Sequence, residues 1–125
     1  PAAVWHYCPD WRANQDNNAK QRLDALLQEI NRQGERLGKV PTYSELKKYR
    51  ELVRSFIGEA VGRSYTLQAQ MGWDRYGRQK MYTTIRQIDD VLAGMAEDVR
   101  LGQQGQLAIM AKHDVLRGLL VDLYM

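Results

Sequence analysis

Cysteine is nearly absent: Cys8 stands alone among 125 residues. No disulfide can close within the chain, which suits a reducing compartment. No apolar run approaches the roughly 20 residues that a membrane-spanning helix needs, and "LLV" at 119–121 is far too short. The opening "PAAVWHYCPDWR" lacks a basic leader followed by an apolar stretch of about 7–15 residues, so it does not read as a secretory signal. A cytoplasmic location is the default expectation. Phosphate-binding glycine loops, nucleophile elbows and zinc-protease motifs are missing, as are low-complexity tracts, long charge blocks and internal repeats. The expectation is a protein that is not an enzyme and uses no cofactor.

What is present is ordinary for a soluble globular domain. The chain is 44% hydrophobic and 26% charged, and it is long enough to bury a core without disulfides or metals. The net charge of +3 is less informative than its distribution. Residues 61–80 carry Arg63, Arg75, Arg78 and Lys80 against Asp74 alone, whereas residues 81–100 carry Arg86 and Arg100 against Asp89, Asp90, Glu97 and Asp98. Basic and acidic stretches therefore abut, and such faces commonly neutralise each other within a fold or steer a charged partner.

Apolar residues recur at helical spacing, with almost no strand signal. Ala19, Leu23, Leu26, Leu27, Ile30, Gly34 and Leu37 fall on one face and predict a helix over about 16–37. "GKVP" at 38–41 stops it, because glycine suits a helix end and proline cannot continue the hydrogen bonding. Thr42 with Glu45 three residues later has the capping-box spacing. From there Leu46, Tyr49, Leu52, Val53, Phe56, Ile57, Ala60, Val61, Leu67 and Met71 predict a second helix to about residue 70. Gly58 and Gly62 lie on its polar side and mark either a bend or a close approach to another backbone. Met81, Ile85, Ile88, Leu92, Met95 and Val99 predict a third helix, with Asp90, Glu97 and Asp98 on its polar face. A last helix begins near Gln104 and is apolar nearly all round, so it is expected either at the centre of the fold or half buried against a second copy. The fold class predicted is all-α: a four-helix bundle of long helices over 16–125 that self-associates, preceded by an aromatic and flexible tail over 1–15.

Four blocks carry a resemblance: "QGERL" at 33–37, "ELKKYRELVRSFIGEAV" at 45–61, "GWDRYGRQKMYTTIRQID" at 72–89 and "LRGLLVDLYM" at 116–125. Together, in this order and spacing, they resemble the YaaR-like family of small bacterial proteins, from Lys20 onward. The resemblance implies an all-α bundle in a cytosolic bacterial protein whose biochemical function is unassigned. It carries over no catalytic residue, and it does not reach the segment containing Trp5, Tyr7, Cys8 and Trp11.

Two places are candidates for function. Over 72–80, a basic and aromatic loop sets Arg75, Arg78 and Lys80 at a helix N-terminus, with Trp73 and Tyr76 available to stack on a base. The competing and preferred reading makes Trp73 a packing residue and pairs the arginines with Asp74, Asp89 or Asp90. No nucleic-acid-binding motif accompanies the loop, and a pI near 9.1 with so small a net charge is a weak footprint. The second place is the last helix, where Met110, Arg117, Gly118, Val121, Asp122 and Tyr124 line either an interface or the middle of the bundle. The expected partner is another copy of the chain or a different protein; nucleic acid is the alternative, and no membrane is involved. His6, Cys8 and the distant His113 are too few for a zinc site. Asp89 and Asp90 are neighbours about 100° apart on a helix, which suits a solvated face better than catalysis.

Overall fold

The computed structural model describes the backbone of residues 2–71 and 75–124 and the side chains of residues 16–67 and 76–124. The described residues form α1 (Ala2–Lys39), α2 (Tyr43–Met71), α3 (Arg75–Arg100), a one-turn 3-10 segment (Gly102–Gly105) and α4 (Gln106–Tyr124). No strand occurs among the described residues. The first helix starts well before the position near 16 that the apolar stripe predicts; the side chains of the aromatic segment 1–15 lie outside the described residues. A second difference concerns 72–80. The chain is helical from Arg75, so most of the supposed loop is the first turns of α3, and Gly72, Trp73 and Asp74 lie outside the described residues.

Cross-helix contacts give the topology. Pairs between α1 and α2 step down one helix as they step up the other, from Gln33–Glu45 through Arg22–Glu59 to Asp16–Arg63. These helices are therefore antiparallel. Asp98–Lys112 joins α3 to α4 beside their short connection, and Gly34–His113 with Gly38–Met110 joins α1 to α4 in the antiparallel sense. Helices α1 and α3 sit diagonally, and α1 packs mainly on α2 and α4. The result is an up-down-up-down four-helix bundle, the arrangement that short connections between apolar-striped helices favour.

The core follows the stripes. Leu23, Ile30 and Leu37 from α1 meet Leu46, Tyr49, Val53, Phe56 and Ala60 from α2, Ile88, Leu92, Met95 and Val99 from α3, and Ile109, Leu116 and Leu120 from α4. Each of the larger of these side chains, withdrawn from water, contributes about 1.5–3 kcal/mol against the entropy of ordering the chain. Helix α4 is not the central helix that its all-round apolarity predicts. Only the face of Ile109, His113, Leu116 and Leu120 is buried, while Leu107 and Val115 on the other side are 86% and 56% exposed.

The boundaries have local causes. The Thr42 hydroxyl accepts a hydrogen bond from the Glu45 N–H, which is half of the capping box. The other half is not made: the Thr42 N–H goes to the Val40 carbonyl, and the Glu45 carboxylate reaches across to Gln33 and Arg36 of α1. Between α3 and α4, Gly102 adopts a φ of +61°, a conformation that glycine reaches without strain. Gly105 is required for a different reason. A Cβ there would run into the main-chain carbonyl of Asp98, which cannot rotate aside as a side chain can. Gly58 and Gly62 do not make the close approach that was one of the two roles expected of them, since a Cβ at either position would meet nothing within 4 Å.

Gly105→Ala is expected to cost about 1–3 kcal/mol through forced displacement of the corner. Gly58→Ala is expected to gain about 0.5–1 kcal/mol by removing glycine from an open helical position. Urea unfolding midpoints of the two variants, measured beside the unmodified chain, check both signs.

Candidate functional site

Three regions hold the polar and exposed apolar residues from which function could be built. The first is internal. His113, 2% exposed, projects from α4 between α1 and α2. Its ring lies where a side chain at Gly34 would stand, and its Nδ1 is 2.7 Å from the Tyr49 hydroxyl. The two rings meet edge to face at 5.5 Å. Either ring tautomer satisfies the pair: the tyrosine donates to a bare Nδ1, or Nδ1–H donates to the phenol oxygen. Burial pushes the Tyr49 hydroxyl well above the usual tyrosine range. Burial, followed by the nearby Arg117 cation, pulls His113 below its ordinary value of 6.5. Both causes favour the neutral ring. The apolar spacing places Tyr49 in the core of α2, but nothing in the sequence signals its partner, 64 residues on.

Charged groups tie the helices where the core ends. Glu45, only 6% exposed, accepts from Gln33 at 2.7 Å and lies 3.0 Å from Arg36, with Lys48 also in reach. The Gln33 hydrogen bond and then Arg36 hold its carboxyl below the usual glutamate range. At the other end Arg63 donates to Asp16 at 2.7 Å and to the Tyr124 carbonyl at 2.8 Å, joining α1, α2 and the end of α4. Asp98 departs from its expected place on a solvated face. It is 7% exposed and pairs with Lys112 at 2.7 Å, whose stem lies against Gly94. The absence of a side chain at Gly94 is what lets the lysine reach. Among the described residues no group of three His, Cys, Asp or Glu side chains is placed to hold a metal; His6 and Cys8 lie outside them.

The second region is the start of α3. Tyr76, Arg78 and Lys80 are exposed there, and Tyr76 is 77% exposed. Neither Arg78 nor Lys80 forms an ion pair with another described residue. The expected pairing of this segment with Asp89 or Asp90 is therefore not made by Arg78. Both aspartates are exposed on α3, separated from Arg78 by about three helical turns. The side chains of Trp73 and Arg75 lie outside the described residues. Tyr65 and Tyr82 are also exposed.

The third region is α4. Of the six residues expected to line an interface or the bundle interior, Arg117, Gly118 and Asp122 face solvent, while Met110, Val121 and Tyr124 are half-buried. Met110 is turned onto Gly38 of α1. The Tyr124 ring lies 5.9 Å from the Arg63 guanidinium. Leu107, Ala111 and Val115 share the exposed side with Gly118 and Asp122. The burial pattern, rather than composition, separates these from the inward residues.

A four-helix bundle with a buried polar pair, no assembled metal-ligand cluster among its described residues and one uncovered helical face defines a class of helical protein, not a reaction. The chain belongs to the family described as "Protein of unknown function (DUF327)", whose model matches residues 10–124. It is 26% identical over 113 residues to the uncharacterized protein YaaR of Bacillus subtilis (strain 168), covering 88% of this chain and 77% of that protein. Among solved structures it resembles the uncharacterized protein BH1478 from Bacillus halodurans, with 30% identity, a TM-score of 0.83, and coverage of 94% of this chain and 96% of that one. A designed granulopoietic protein, Moevan, shares the fold at 22% identity and a TM-score of 0.79, over 88% of this chain and 94% of its own.

Because the His113 pKa is lowered in the fold, the unfolded chain binds the proton more tightly. The contribution of the neutral ring is therefore complete above the unfolded value and is lost as pH falls through it. Stability is expected to decline as pH falls below about 6.5 toward the lower folded value, and this slope is expected to be absent in His113→Asn. Tyr49→Phe is expected to cost about 1–3 kcal/mol by leaving the imidazole nitrogen unpaired. Urea titrations of the three chains across this pH range check the slope and the offset.

Proposed function

We propose that the chain is a non-enzymatic helical bundle that acts through protein–protein contacts and associates with itself. The observation that carries this reading is the uncovered side of α4, where Leu107 and Val115 are 86% and 56% exposed on the same side of one helix. A helix with apolar residues on both faces is stable when both are covered, and the bundle covers one. Exposed apolar residues grouped on one element mark interaction surfaces more often than singly scattered ones do. The outward positions of α3 include the polar Arg86, Gln87, Asp89, Asp90 and Glu97 beside the exposed rings of Tyr76 and Tyr82 near its start. No helix of the described structure is long and apolar enough to cross a membrane.

A second reading rests on its own observation. Tyr76, Arg78 and Lys80 are exposed together, and the two cations lack carboxylate partners among the described residues. This segment, with Trp73 and Arg75, would serve an anion- or nucleic-acid-binding module, the cations meeting phosphates and the aromatic rings meeting bases.

Light scattering or sedimentation of the unmodified chain is expected to show an oligomer that Val115→Asp converts to a monomer with little change in unfolding midpoint. A strict monomer at millimolar concentration overturns the first reading. Under the second, joint replacement of Arg75, Arg78 and Lys80 by alanine abolishes salt-sensitive nucleic-acid binding; no binding by the unmodified chain at low salt ends that reading.

A further inference from the structure

We propose that the outer face of the α2–α3 pair binds single-stranded nucleic acid, with Lys47, Arg50, Arg54, Arg78 and Arg86 meeting phosphates and Tyr82 stacking on a base. The proposal rests on the nucleic-acid reading above and enlarges its site from the start of α3 to a face made by two helices.

Charge outside ion pairs is divided unevenly over the bundle. Among the described residues, Lys47, Arg50 and Arg54 of α2 and Arg78, Lys80 and Arg86 of α3 are exposed and unpaired, against the unpaired carboxylates Glu51, Asp89 and Asp90. On α1 and α4 the balance is reversed, with Arg32 and Lys39 against Asp24, Glu29, Glu35 and Asp122. The α2–α3 side therefore attracts anions while the α1–α4 side repels them.

Helical geometry collects five of the six cations on one face. Glu45 is the residue that α2 turns to α1, and at 100° per residue Lys47, Arg50 and Arg54 point about 160°, 140° and 180° away from it. Asp98 is the residue that α3 turns to α4, and Arg78, Tyr82 and Arg86 point about 160°, 160° and 120° away from it. Lys80 shares the direction of Asp98 and stands apart. Tyr43 at the start of α2 is within electrostatic reach of Arg100 at the end of α3, which sets the level of the two antiparallel helices. Counted from that pair, Arg86 is level with about residue 57 of α2 and Tyr82 with about residue 61. The cations thus run from the start of α2 across to the start of α3. Gly58 lies between Arg54 and Arg86 on the same face, and a Cβ there would meet nothing within 4 Å, so a sugar-phosphate chain can approach the helix closely at the crossing. Two unpaired carboxylates, Glu51 and Asp89, share the face with the five cations; Glu97 is held by Arg100.

The exposed apolar groups select the kind of polyanion. On α2 and α3 the exposed large apolar side chains among the described residues are all tyrosines, whereas Val40, Leu101, Leu107 and Val115 lie in the connections or on α4. A face with cations and rings but no exposed aliphatic side chain lacks the groups that enter a lipid interface. Tyr82 is 73% exposed between Arg78 and Arg86, four residues from each. A ring standing free between two guanidinium groups suits an unpaired base with a phosphate on either side. Bases inside a duplex are stacked on one another and give such a ring no surface.

Fluorescence anisotropy with a labelled oligothymidine strand at low salt tests this in the full chain. Joint Arg50→Ala, Arg54→Ala and Arg86→Ala is expected to weaken binding at least tenfold and to reduce the slope of log affinity against log salt by roughly 2. Tyr82→Ala is expected to weaken binding roughly tenfold and Tyr82→Phe to retain it. Joint Arg32→Ala and Lys39→Ala on α1 is expected to change little, and unaltered urea midpoints show that the variants remain folded. Equal competition by duplex DNA, polyglutamate or anionic vesicles overturns the proposal, as does full binding by Tyr82→Ala. Full binding by the Arg50, Arg54 and Arg86 variant, with binding lost on replacing Arg75, Arg78 and Lys80, overturns this face while leaving the 72–80 reading standing. No binding by the unmodified chain overturns both.

Discussion

The imidazole of His113 fills the space above Gly34 and holds the Tyr49 hydroxyl at 2.7 Å. Three helices are placed relative to one another by this contact. Apolar side chains bury well in many sliding registers, since the hydrophobic effect has no direction. A buried hydrogen bond does not, because a polar atom left unpaired by a shift of one turn costs roughly 1–3 kcal/mol. The notch and the hydrogen bond together select one alignment of α1 and α2 on α4 from those that the apolar stripes would tolerate.

The ion pairs reinforce that alignment at the ends of the core. Glu45 draws Gln33 and Arg36 onto the beginning of α2, and Arg63 draws Asp16 and the end of α4 onto its later part. On the opposite side Asp98 and Lys112 join α3 to α4. Helices α2 and α3 share no ion pair among the described residues, so the bundle is fixed mainly around α1 and α4. The polar links and the hydrophobic core thus act on different degrees of freedom, the core favouring compaction and the links favouring register.

Function is a matter of what this packing leaves uncovered. Four helices of unequal apolarity cannot all be enclosed by one another, and α4 retains Leu107, Ala111 and Val115 toward water. The start of α3 leaves cations toward water in the same way. Both regions lie at the surface of a bundle whose described interior holds the Tyr49–His113 pair together with the buried carboxylates of Glu45 and Asp98.

Much of the fold was legible before any coordinates. The stripes of Leu23, Ile30 and Leu37, of Leu46, Tyr49, Val53 and Phe56, and of Ile88, Leu92 and Met95 each name their buried faces, because helical periodicity turns spacing into direction. The break at Gly102 was equally legible. Less was legible of the candidate site. Met110 and Arg117 are alike members of the last helix, yet one turns onto Gly38 and the other to solvent, and an all-round apolar pattern contains no preference between them. Asp98 reads as a surface charge until Lys112 is beside it. Glu45 reads as a cap until Gln33 and Arg36 are within reach. The sequence by itself determined the helices, their breaks and most inward faces, since these depend on neighbours three or four positions away. Only the tertiary structure decided which glycine receives which side chain and which face of α4 stays open, because those depend on residues far apart in the chain meeting in space.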